Sequence, residues 1–221
     1  MAWDNIWEDI FSSQGWGKYP SEDLIRFIAR NFYQARDRKE VKVLEVGCGT
    51  GANLWYVARE GFTIYGIDGS KTAIEIAKTR LDVEVEDWSG QLVVGDFISL
   101  PYEDNFFDAV IDNEAVYSNS YENSQVIYNE IHRVLKPKGK LYSRTFAAGS
   151  WGDGTGEQVA PGLWVVSEGP AYGKGTTRFS TEKDIKNLLE KYEITELEQI
   201  IKTCNNLSEK IIEWVIIASK R

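Results

Sequence analysis

The sequence predicts an α/β fold, a mainly parallel sheet with helices on both faces, and three observations carry that prediction. Between residues 41 and 146, apolar runs of strand length alternate with stretches of helical periodicity. A glycine-rich turn, Gly47-Cys48-Gly49-Thr50-Gly51, links the first such run to the first helical stretch, as in sheets that bind ligands at strand ends. Finally, 221 residues can bury one sizeable core, so the chain reads as a single domain.

Residues 1–40 read as an N-terminal helical cap, because Trp3, Ile6, Trp7, Ile10 and Phe11 recur at helical spacing. Residues 41–146 form the core, with strands expected at 41–46, 63–68, 92–96, 108–113 and 140–146. The helix between the first two strands, 52–60, places Leu54, Val57 and Ala58 on one face, and Gly61 stops it. Thr72 and Glu75 have capping-box spacing at the head of a helix whose Ala73, Ile74, Ile76, Ala77 and Leu81 should face the core. Val126, Ile127, Ile131, Val134 and Leu135 mark a further helix closed by Pro137 and Gly139. Residues 147–180 are rich in glycine and lack periodicity, so they read as a long excursion on the acceptor side of the site. A helix over 181–191 and a hairpin of strands near 193–202 and 210–220, turning at Asn205-Asn206-Leu207-Ser208, complete the chain.

Composition excludes several functions. Asp and Glu number 34 against 25 Lys and Arg, a net charge of -9, and a surface of that sign repels phosphate backbones, so no nucleic-acid partner is expected. No apolar run reaches membrane-spanning length, and the start lacks a basic leader, so a cytoplasmic protein without a membrane partner is expected. Cys48 and Cys204, with one histidine, have no ligand spacing, so no metal site is expected.

The glycine turn by itself fits two cofactor classes. Gly47-x-Gly49-x-x-Ala52 satisfies a variant of the dinucleotide fingerprint, and Asp68, 19 residues after Gly49, can accept ribose hydroxyls from either an NAD-type or an adenosyl ligand. Glu45 points to the second class, since S-adenosylmethionine brings a cationic amine and a sulfonium where a dinucleotide brings an anionic pyrophosphate. The competing reading is that Glu45 only caps the loop.

From residue 44 to 146 the chain resembles the class I S-adenosylmethionine-dependent methyltransferases, particularly the small-molecule group related to quinone-biosynthesis methylases. The resemblance rests on Leu44-Glu45-Val46-Gly47-Cys48-Gly49-Thr50-Gly51, Tyr65-Gly66-Ile67-Asp68-Gly69-Ser70, Gly95-Asp96-Phe97, Leu100-Pro101-Tyr102, Asn105-Phe106-Phe107-Asp108-Ala109-Val110 and the run Glu130 through Gly139. It implies a Rossmann-like seven-stranded methyltransferase sheet in the order 3-2-1-4-5-7-6 with the last strand antiparallel. It further implies that Glu45, Gly47, Cys48, Gly49 and Gly51 hold the methionine moiety and that Asp68 takes the ribose, with Gly69 and Ser70 beside the adenine. Asp96 and Phe97 would read the adenine edge, and Asp112 and Asn113 would line the sulfonium side. Two aromatic groups, Trp3, Trp7, Phe11, Trp16 and Tyr19, then Trp151, Trp164 and Tyr172, lie in regions that cover the cofactor in this family. The rival reading packs the first group on the sheet or on a second copy, as a homodimer.

The expected reaction is direct displacement of the methyl group onto an oxygen or nitrogen of a small-molecule acceptor, in which alignment does most of the catalysis. Glu114, Tyr117 and Tyr121 follow the fourth strand and are the candidate bases. His132 belongs to a helix running back to the opposite edge and is not expected to act. Arg144 either fixes an acidic acceptor or pairs with a neighbouring carboxylate. Two departures stand out: Lys138 replaces the first of the two glycines the family usually has after Pro137, and no Asn-Pro-Pro-Tyr motif follows the fourth strand, which disfavours adenine or glutamine N-methylation. The rival functions are an NAD(P)-dependent oxidoreductase and a non-catalytic protein that keeps the cofactor fold.

Overall fold

A computed structural model describes residues 3–221. Helices α1 (Ile6–Ser13) and α2 (Glu22–Phe32) precede β1 (Lys42–Val46), α3 (Ala52–Arg59), β2 (Thr63–Asp68), α4 (Lys71–Glu84) and β3 (Gly90–Val94). Then come β4 (Phe107–Asn113), α5 (Tyr121–Val134) and β5 (Leu135–Phe146). The short strands β6 (Glu157–Ala160), β7 (Leu163–Val165) and β8 (Thr177–Arg178) follow, before α6 (Glu182–Leu188), β9 (Tyr192–Cys204) and β10 (Glu209–Lys220).

The main sheet has seven strands in the order β3-β2-β1-β4-β5-β10-β9, which is the expected 3-2-1-4-5-7-6. Strands β1 to β5 pair in parallel, whereas β10 runs antiparallel to both β5 and β9. The β9–β10 hairpin turns at Asn205, Asn206 and Leu207, all with positive φ, where the asparagines are the residues best suited to that backbone.

Period-two alternation assigns each face its own core. Val43, Ala109 and Ile111 pack with Leu24, Phe27 and Ile28 of α2, Leu54 and Val57 of α3, and Ile74 and Leu81 of α4. Leu44, Val46 and Val110 point the other way, onto Ile127 and Ile131 of α5 and Ile185 and Leu188 of α6. Ile76, expected inside, is exposed. Ile76 stands about 200° around the helix from Ile74, outside the buried stripe.

Several local expectations change. The cap of α4 is Ser70, whose Oγ accepts from the Ala73 N–H at 3.0 Å; the Thr72 hydroxyl donates instead to Glu8. A capping box does form at α6, between Thr181 and Asp184. Strand β5 starts at Leu135, opposite Phe107, and resumes at Lys140 opposite Ala109, so Pro137 and Lys138 bulge outward. Lys138 is exposed but has φ of 65°, a backbone that costs a lysine more than a glycine. Inside the excursion, β6, β7 and β8 form a second, three-stranded sheet, and an isolated bridge joins Ala147 to Ser180.

Candidate active site

The parallel strands end in register, Val46 opposite Ile67 and Asp112, so the segments that follow β1, β2 and β4 meet at one edge. The strand order reverses there, the chain going from β1 to β2 on one side and returning to β4 on the other, which opens a crevice for a ligand. Gly47, Gly49 and Gly51 have φ of 63°, 49° and 77°. At Gly47 a Cβ would stand 2.3 Å from the Ala115 Cβ, so only glycine lets the segment after β4 close onto the turn. The Gly47 and Cys48 N–H groups both donate to the Ile67 carbonyl, at 2.8 and 3.2 Å, which ties the turn to β2.

A cavity of about 380 Å³ opens at this edge, within the size range of small-molecule sites. Its floor is Glu45, Gly47, Cys48, Gly49 and Asp68; Asn113, Glu114 and Tyr117 form one wall, and Trp7, Phe11 and Trp16 roof it. The three roof rings pack on one another with centroids 5.5 to 5.9 Å apart. Four carboxylates, Asp4, Glu45, Asp68 and Glu114, line the cavity against one lysine, Lys174, whose Nζ lies 5.1 Å from the Trp16 ring centre.

Glu45 is the most unusual of these groups. It is 2% exposed, its Oε1 accepts from Asn53 Nδ2 at 2.5 Å, and its Oε2 has no hydrogen-bond partner. Burial pushes the carboxyl up to about 8, Asn53 opposing and the charges of Asp68 and Asp112 reinforcing. A buried carboxylate oxygen left open beside a cavity suits a cation and disfavours a pyrophosphate. Asp68, raised by burial, accepts from Gly49 N–H at 2.8 Å and Ser70 N–H at 2.9 Å. Each of its oxygens keeps further lone pairs for a ribose.

Of the residues singled out from sequence, the structure brings Glu45, Gly47, Cys48, Gly49, Asp68, Phe97, Asn113, Glu114, Tyr117 and Tyr19 to the cavity wall. Tyr19 stands at the rim, 73% exposed, its ring on Trp55. Gly51 lies behind the turn as the α3 cap, against Ala77. Gly69 is covered by the Trp3 indole, the Ser70 hydroxyl is taken by Glu8, and Asp96 accepts from the Trp3 N–H at 3.3 Å.

Two expected positions are corrected. Asp112 is fully buried and stands off the cavity wall: its Oδ1 accepts from the Ala115 and Val116 N–H groups, and its Oδ2 from Tyr128 and Ser143 hydroxyls. Side chains alternate along β4, so Asp112 turns into the protein where Asn113 turns to the cavity. Tyr121 opens α5 and packs on the core beneath that helix, away from the cavity wall. His132 lies in the last turn of α5 against Tyr192, at the far edge as expected.

Arg144 pairs with carboxylates. Its guanidinium contacts Glu213, Glu114 at 3.3 Å and Asp23 at 3.7 Å. Burial raises the Glu114 carboxyl, and its hydrogen bond to Glu213 raises it further. Glu213 moves the opposite way: burial raises it, but hydrogen bonds from Glu114 and Arg144 and the Arg144 charge outweigh that and hold it low. Tyr117 is fully buried and its phenol is raised, chiefly by desolvation. Sequence reasoning missed Asn53, Glu8, Lys174 and Glu213. Asn53, eight residues after Glu45, was findable as a polar residue on the apolar face of α3; the others are long-range partners with no local signal.

Residues 44–143 match the family described as a methyltransferase domain. The sterol 24-C-methyltransferase of Neurospora crassa is 37% identical over 164 residues, an alignment covering 66% of this chain and 40% of that protein. A fatty-acid O-methyltransferase of Mycolicibacterium smegmatis is 32% identical over 124 residues, covering 54% of this chain and 43% of that protein. The match thus spans less than half the length of either relative. Among solved structures, an S-adenosylmethionine-dependent methyltransferase of Methanosarcina mazei superposes with a TM-score of 0.70 at 24% identity, covering 82% of this chain and 93% of that one. Over residues 44–143 the chain is therefore similar to methyltransferase domains, and its seven-stranded sheet has the fold of the Methanosarcina mazei structure.

Proposed function

We propose that this chain binds S-adenosylmethionine at the edge of β1, β2 and β4 and methylates a small molecule held under the aromatic roof. The observation that carries the reading is the open Oε2 of buried Glu45, in a cavity where carboxylates outnumber cations. The cofactor supplies a methyl group on a positively charged sulfur, which leaves as a neutral sulfide. Glu45 would hold its ammonium and Asp68 its ribose hydroxyls. The roof of Trp7, Phe11 and Trp16 excludes water and offers ring faces to positive charge, each worth about 0.5 to 2 kcal/mol.

Glu114 is the group on the wall fitted to take a proton from the acceptor, because its raised carboxyl titrates closer to neutrality than an ordinary one. That supports an oxygen or nitrogen nucleophile on a largely apolar body. Methylation at carbon is the second reading, favoured by the named activity of the Neurospora crassa relative and by rings able to stabilise a cation. A cytoplasmic location and a single-domain organisation complete the proposal.

Two measurements test it. Calorimetric titration should give binding of S-adenosylhomocysteine and none of NAD or NADP; the reverse would sink the reading. Incubation with methyl-labelled cofactor and fractionated metabolite extract should transfer label to a small molecule. The stability of the labelled product to alkali then separates an ester from an amine or carbon methyl. Binding without transfer to any fraction would support a non-catalytic protein.

A further inference from the structure

We infer that Trp3 supplies one wall of the nucleobase subsite, occupying the space that a side chain at residue 69 would otherwise fill. The inference rests on the S-adenosylmethionine reading of the same cavity. A Cβ built on Gly69 would lie 2.0 Å from Trp3 Cδ2 and 2.1 Å from its Cε3, so the indole sits where that side chain would be. Nothing in the Gly69 backbone itself requires glycine, since its φ is not in the left-handed region. The glycine is needed for the space alone.

Three contacts fix the segment that carries Trp3. Its backbone N–H donates to Asp96 Oδ2 at 3.3 Å. One turn into α1, the Glu8 carboxylate accepts from the Ser70 and Thr72 hydroxyls at the head of α4, and these bonds hold it below the usual carboxylate range. Phe11 then rests over Gly49, 3.2 Å from where a Cβ would stand. Helix α1 is therefore stitched along the loop after β2, and Trp3 lies on the cavity wall with Phe97.

Position along the cavity gives the wall its ligand. An elongated cation anchored by its ammonium on Glu45 and by its ribose on Asp68 directs its base past Asp68. There Trp3 and Phe97 present aromatic surface. Stacking of a base on an aromatic ring contributes on a scale of roughly ten-fold or more in affinity.

The test uses calorimetry with two ligands: S-adenosylhomocysteine, and 5′-methylthioadenosine, which keeps the nucleoside but lacks the ammonium. Trp3→Ala should weaken both by about ten-fold, because the loss lies at the base. Gly69→Ala, which expels the indole without straining the backbone, should weaken both to the same extent. The double variant should be no worse than either. Glu45→Gln, in contrast, should weaken only S-adenosylhomocysteine. Unchanged or tighter binding by Trp3→Ala would overturn the assignment, the latter marking the indole as an obstruction. Losses confined to S-adenosylhomocysteine, or additive losses in the double variant, would overturn it too. If the wild-type protein binds neither ligand, the cofactor reading itself fails, which is a distinct outcome.

Discussion

Replacing Glu45 by glutamine should move ligand affinity and protein stability in opposite directions. The amide keeps the shape of the carboxyl and can still present an oxygen to Asn53 Nδ2, so the turn should survive. What disappears is the charge on Oε2, the buried oxygen with no protein partner. A hydrogen bond to a charged group contributes about 1.5 to 3 kcal/mol, so S-adenosylhomocysteine should bind roughly ten-fold to a hundred-fold more weakly. Stability follows the protonation of the same group. Folded Glu45 gives up its proton near 8, whereas an ordinary glutamate does so near 4.5, so the native state holds an extra proton between those values. Native stability therefore falls as pH rises through that window, at up to about 1.4 kcal/mol per pH unit. Glutamine removes that slope, and at pH 9 the variant should unfold at higher urea than the wild type. Ligand binding near pH 7 should also release a proton from the wild type and not from the variant, measured by titration in buffers of different ionisation enthalpy. Undiminished affinity, or weaker binding joined to lower stability at pH 9, would refute the reasoning and leave Glu45 as a loop cap.

Arg144→Met should cost about 3 kcal/mol or more in urea unfolding, because it strands Glu213, Glu114 and Asp23 around a missing cation; a loss below about 1 kcal/mol would mean that solvent screens the cluster. Glu114→Gln should lower kcat by about a hundred-fold with the acceptor that labelling identifies, and should abolish the rise in rate as pH climbs through the raised titration of Glu114; a retained pH profile would assign the base elsewhere. Gly47→Ala should impair S-adenosylhomocysteine binding by driving its Cβ into Ala115, whereas Gly61→Ala, also left-handed but meeting only the Arg38 Cβ at 4.0 Å and remote from the cavity, should lose stability and keep its affinity.

The parts of the site that were legible in the sequence are those fixed by local backbone chemistry. Gly47, Gly49 and Gly51 announce a turn because few other residues adopt positive φ, and Asp68 marks a strand end by its place after an apolar run. Glu45 was readable through the charge of the ligand it would meet. Asp112 and Asn113 could not be told apart, since the facing of two adjacent strand residues depends on what covers each side of the sheet. Tyr117 and Tyr121 look alike in the sequence, and the short helical turn at Val116–Ser118 sends one to the cavity and leaves the other on α5. The excursion hid its three strands because each is too short for an alternation to show.

By itself the sequence determined the succession of strands and helices in residues 41–146, the place of the ligand edge and the acidic character of the pocket, since these follow from periodicity, glycine backbone freedom and charge along the chain. Only the tertiary structure decided who partners whom at that edge: Trp3 on Gly69, Glu8 on the α4 cap, and Arg144 among three carboxylates. Those contacts join residues far apart in the sequence, Glu8 and Ser70 62 positions apart and Arg144 and Glu213 69 apart. Shape and charge complementarity across such separations arises when the chain closes on itself, and a local window of sequence contains no trace of it.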